Sequence, residues 1–123
     1  MNLNELAQDI HQNAVKHGWW EEKRSIGEII ALCHSELSEA LEEARNGEAN
    51  EYFLQTVKNG VIHQTDMSQY DTEKLEGVAV EMADCIIRIL DWCGKENIDI
   101  QGIIERKHEY NQTRPFKHGG KKF

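Results

Sequence analysis

Glu76-Gly-Val-Ala-Val-Glu81-Met-Ala-Asp84-Cys-Ile-Ile-Arg88-Ile-Leu-Asp91-Trp-Cys93 is the stretch that decides the fold. Stepped at about 100° per residue, Val78 to Cys93 is apolar nearly all round the wheel, which predicts a buried helix over Glu76 to Lys95. The exceptions, Glu81, Asp84, Arg88 and Asp91, fall within an arc of roughly 80°. A spacing of three puts Glu81 and Asp84 on one face, their Cβ atoms about 5–6 Å apart. Carboxylates inside an apolar pattern need neutralising: alone they would raise their pKa and take up protons, whereas a hard divalent cation lets them stay ionised.

A matching couplet lies upstream. Ser25-x-x-Glu28 is a capping box opening a helix that Gly47 ends. On that helix Ile26, Ile29, Ile30, Leu32, Cys33, Leu37, Ala40, Leu41 and Ala44 form the apolar sector, and Glu36, three residues before Glu39, projects between Ile29, Leu32 and Ala40. Two facing helices would then present four carboxylates, Glu36, Glu39, Glu81 and Asp84. Oxygen donors without His or Cys at ligand spacing favour Mg²⁺ or Mn²⁺ over Zn²⁺. The structural alternative is a set of buried ion pairs with Arg88 and a lysine. Glu42 with Glu43, and Glu21 with Glu22, read as solvated helix faces.

Two further helices flank these. The first runs from Leu3 to His17, with Asn2 as cap, Glu5 three residues on and Gly18 as stop. The last opens at Asp99 and carries Ile100, Ile103, Ile104, Lys107, His108 and Asn111 toward Pro115. Residues 48–73 are ambiguous: Asn59-Gly60 between apolar runs signals a hairpin, and a short helix over Glu51 to Lys58 fits equally. With 123 residues and one proline, the expectation is a single all-α domain over 1–123. Its architecture reads as a four-helix-bundle-like module with a loop or hairpin insertion between helices two and three.

The net charge of −8 argues against a nucleic-acid polymer as partner. From Glu105 to Phe123 six basic residues face two acids, so the tail carries +4 and the remainder −12. Such a tail suits a metal-bound small polyanion, although a solvated terminus would show the same charge. Cys33, Cys85 and Cys93 form no CxxC and read as small buried hydrophobes. No signal peptide or membrane-spanning apolar run is visible, which predicts a cytoplasmic chain without a membrane partner.

The order Glu36-x-x-Glu39, Glu81-x-x-Asp84, then Lys107-x-x-x-Asn111-x-x-Arg114-Pro115-Phe116-Lys117 resembles the MazG-like nucleoside triphosphate pyrophosphohydrolases across nearly the whole chain outside residues 48–73. The resemblance implies an all-α, dimeric or tetrameric enzyme that hydrolyses nucleoside triphosphates to monophosphate and pyrophosphate with Mg²⁺. On that footing Glu36, Glu39, Glu81 and Asp84 are expected to ligate the metal, with Glu36 or Glu39 also serving as base toward water. Lys107, Arg114 and Lys117 would hold phosphates, with Asn111 donating to phosphate or sugar. Trp19 or Trp20 would stack on the base. Adjacent tryptophans point apart, so at least one belongs to the core or to a subunit interface. The alternatives are a phosphoribosyl-ATP pyrophosphohydrolase and, outside catalysis, a helical interaction protein braced by a cation.

Overall fold

The computed structural model describes residues 1–57, 60–64 and 74–115. Helices dominate: α1 (Leu3–Lys16), α2 (Ile26–Arg45), α3 (Val78–Glu96) and α4 (Ile100–Gln112), with strands β1 (Tyr52–Val57), β2 (Gly60–Gln64) and β3 (Lys74–Glu76) between α2 and α3. None of the described helices is long and apolar enough to cross a membrane. The chain divides into two compact units, residues 1–19 with 90–123 and residues 20–89, with α3 contributing to both.

The caps read from the sequence are formed. The Asn2 side chain accepts from the Glu5 amide, Ser25 from Glu28 and Asp99 from Gly102. Each satisfies an amide that the first helical turn leaves without a partner. Gly18 and Gly47 follow α1 and α2 with φ of 80° and 70°.

In the first unit, Ala7 of α1 packs on Leu90 and Cys93 of α3, with Leu6, Ile10, Trp92, Ile98 and Ile100 around them. The helices approach closely at Gly94, where a Cβ would come within 2.5 Å of the Ala7 carbonyl oxygen. Gln8 Nε2 donates to the Gly94 carbonyl there, at 3.0 Å. Asn4 and Gln101 tie α1 to α4: Leu3 N donates to Gln101 Oε1 and Gln101 N to Asn4 Oδ1.

In the second unit α2 buries Ile29, Cys33, Glu36 and Ala40. That spacing of four, three and four is the stripe of a helix facing a core, and Glu36 occupies a core position in it. Ile26, Ile30, Leu37 and Leu41 stay exposed, so only part of the expected apolar sector is covered. The expectation of a buried α3 is corrected in the same way. Glu81 and Cys85 are buried on this part of the helix, but Met82, Ile86, Ile87 and Ile89 are 41–54 % exposed.

Between α2 and α3 the three strands form a sheet of order β2-β1-β3, all antiparallel, and β1 over Tyr52–Val57 overturns the alternative of a helix over Glu51 to Lys58. Aromatic and β-branched residues (Tyr52, Phe53, Thr56, Val57) favour a strand when neighbours pair on both sides. Phe53 stands opposite Gln64 on one side and Leu75 on the other. The pairing also moves the start of α3. Glu76, expected as its first residue, lies in β3 opposite Tyr52, and the chain turns at Gly77 with φ of 132°. A Cβ at Gly77 would collide with the Asn50 carbonyl, so only glycine fits this turn.

Candidate metal centre

Glu36 leaves α2 inside the buried stripe, 8 % exposed, and Arg88 Nε of α3 donates to its Oε1 at 2.7 Å. Glu39, one turn on, is exposed. Glu81, in the first turn of α3, is 6 % exposed. One carboxylate oxygen from each of the three lies within 4.8 Å of the others. Glu81 forms a second such group with Glu43 and Glu76. These acids, with Glu42 and Asp84, line an open cleft of about 400 Å³ shared with Asn46, Lys74 and Leu75.

Such crowding shows in the proton affinities. The Glu81 carboxyl is pushed up to about 8, first by burial, then by hydrogen bonds with Glu76 and Glu39 and by their charges. Glu76 is itself penalised by burial, yet it is held below the ordinary carboxylate range by Lys74, 2.8 Å away, and by its bond with Glu81. Asp84 is raised by burial and by the charge of Glu36, against the pull of Arg88. Burial and the neighbouring carboxylates thus favour the protonated form of Glu81 when no cation is bound. A divalent cation in that place would neutralise more charge, and the all-oxygen donor set suits Mg²⁺ or Mn²⁺. The residues fit such an ion.

The structure brings Glu36, Glu39 and Glu81 together, with Asp84 on the wall of the same cleft. Arg88 compensates part of the charge through Glu36, as the ion-pair alternative required. Asp91, the fourth member of the polar arc, belongs to the other unit, where His11 Nδ1 lies 2.8 Å from its Oδ1.

Trp19 and Trp20 are half-buried, and Trp20, in the same unit as the cleft, does not line it. Lys107 and Asn111 share a face of α4 and line a shallow hollow with Ile103, Ile104 and His108. Lys107 Nζ sits 4.8 Å from the Tyr110 ring centroid, and the Arg114 guanidinium carbon 5.8 Å from it. Lys117 lies outside the described residues.

Three acidic or basic residues of the cleft, Glu43, Lys74 and Glu76, and Tyr52 behind Glu43, are not announced as site residues by the sequence. Glu43, read as solvated, is half-buried, and Tyr52 Oη donates to its carboxylate at 2.8 and 3.0 Å. The signal was available, since Glu43 lies seven residues after Glu36 and so on the same face of α2. Lys74, Glu76 and Tyr52 reach the site through strand pairing, which no spacing in the sequence announces. Comparison with protein families, with curated proteins and with solved structures found no match, so the function is read from this geometry and from the motif order.

Proposed function

We propose that the protein is a Mg²⁺-dependent pyrophosphohydrolase of nucleoside triphosphates, releasing monophosphate and pyrophosphate, in the manner of the MazG-like enzymes its motifs resemble. The observation that carries this reading is the convergence of Glu36, Glu39 and Glu81 within 4.8 Å, from two helices, at the edge of an open cleft. Bound there, a divalent cation supplies charge neutralisation for the polyphosphate and its leaving pyrophosphate. Glu36, Glu39, Glu81 and Asp84 would hold it. Arg88 fixes the Glu36 carboxylate, leaving its other oxygen for the ion. Glu39, the exposed member of the trio, is the better placed to take a proton from an attacking water.

Lys107, Asn111 and Arg114 are proposed as phosphate and sugar contacts, and Trp19 or Trp20 as the base platform. A homodimer or homotetramer would cover the exposed Ile30, Leu37, Leu41, Ile86 and Ile87. Those apolar faces also favour the second reading, a cation-braced interaction protein without turnover. Incubation with Mg²⁺ and a panel of ribo-, deoxy- and modified triphosphates, including phosphoribosyl-ATP, separates the readings. The expected products are monophosphate and pyrophosphate. Diphosphate with orthophosphate, or no product from any substrate, would refute the proposal.

A further inference from the structure

Seven carboxylates line the cleft, and among the described residues lining it Lys74 is the one cation. A polyphosphate approaching such a site is repelled by the carboxylates, and bound cations and Lys74 are what offset that repulsion. Lys74 sits on β3 opposite Leu54, so its backbone is fixed by the sheet, while its side chain is 75 % exposed and free to swing. Lys74 and Glu76 are two apart on the strand and share a face, where Nζ lies 2.8 Å from Glu76 Oε1. An ion pair with one partner this exposed is held only weakly. A divalent cation drawn to Glu81 and Glu76 competes directly with that lysine for the same carboxylate.

We propose that Lys74 is a phosphate-contacting residue of the cleft, which exchanges Glu76 for the substrate's phosphate oxygens once a divalent cation occupies the carboxylates. This assignment rests on the pyrophosphohydrolase reading. In the cation-free protein the ammonium partly satisfies Glu76; in the loaded protein it faces the polyphosphate. Lys74 thus has opposite effects on the two ligands, competing with the cation alone and assisting the cation with its phosphates.

The test is calorimetric titration of wild type, Lys74→Ala and Lys74→Arg with Mg²⁺ alone and with pyrophosphate at saturating Mg²⁺. Lys74→Ala is expected to bind Mg²⁺ alone about two- to fivefold more tightly, the scale of a lost surface ion pair. It should bind pyrophosphate about tenfold more weakly or worse, the scale of a lost charge-assisted hydrogen bond. Lys74→Arg should restore pyrophosphate binding. Weaker binding of both ligands, as from general damage to the site, or unchanged pyrophosphate affinity, would overturn the assignment. So would a wild type that takes Mg²⁺ but no pyrophosphate. A wild type that binds pyrophosphate through Lys74 yet hydrolyses no triphosphate would instead remove the enzymatic reading and leave the contact standing.

Discussion

The helix α3 buries two acids ten residues apart, Glu81 and Asp91, each 6 % exposed, and the protein treats them differently. Asp91 has His11 at 2.8 Å, a partner of complementary chemistry supplied by α1. Glu81 faces Glu36, Glu39, Glu43 and Glu76 instead. A buried acid given a cationic or donor partner is finished structure. One given more acids is stable only while a proton or an outside cation occupies the gap. On the proposed reading, this difference is why Glu81, and not Asp91, is assigned to the cation.

The largest effect expected from this contrast is on turnover. Glu81→Gln should lower kcat/KM about 10³-fold or more, roughly 4 kcal/mol of transition-state stabilisation. At pH 7 its apo stability should rise, because folded wild type keeps on Glu81 a proton that its unfolded chain has released, a cost that Gln, of the same shape, does not carry. Glu36→Gln is a less clean variant, since it also weakens the bond from Arg88. A Glu81→Gln protein with wild-type turnover would place the chemistry elsewhere.

The complementary change is His11→Ala. It removes a partner from Asp91 and should cost about 1.5–3 kcal/mol in urea unfolding, while Mg²⁺ affinity stays as in wild type. Equal losses of stability and of Mg²⁺ affinity would erase the distinction between the two acids.

A smaller effect concerns pH. The folded Glu81 carboxyl titrates near 8 and an ordinary glutamate at 4.5. Between those values the folded chain holds a proton that the unfolded chain has released, so this group's contribution to stability falls as pH rises and levels off above 8. Asp84, also raised, acts in the same direction. Thermal melts of metal-free protein from pH 5 to 9 should show that decline, and Glu81→Gln should flatten much of it. A wild-type profile that rises across this range would mean that Glu81 is ionised and already compensated.

How far the sequence disclosed this site follows from the kind of geometry involved. The caps at Asn2, Ser25 and Asp99 are local and were legible. So was Glu36, whose place among Ile29, Cys33 and Ala40 is fixed by helical period alone. Glu76 and Lys74 were not, because β1 pairs β3 across residues distant in the chain, whereas a helix begun at Glu76 would have put that residue about 140° round the wheel from Glu81. Apolar content also misled: Met82, Ile86, Ile87 and Ile89 are exposed in the single chain, since hydrophobicity states what a face favours and not what covers it.

The central claim, that the acids around Glu81 hold a divalent cation in exchange for a proton, is tested most directly by titrating Mg²⁺ into the protein at pH 7 in two buffers of different ionisation enthalpy. The heats should differ by an amount corresponding to nearly one proton released per Mg²⁺ bound, and the difference should vanish in Glu81→Gln. Absence of Mg²⁺ binding, or binding with no buffer dependence, would contradict the claim.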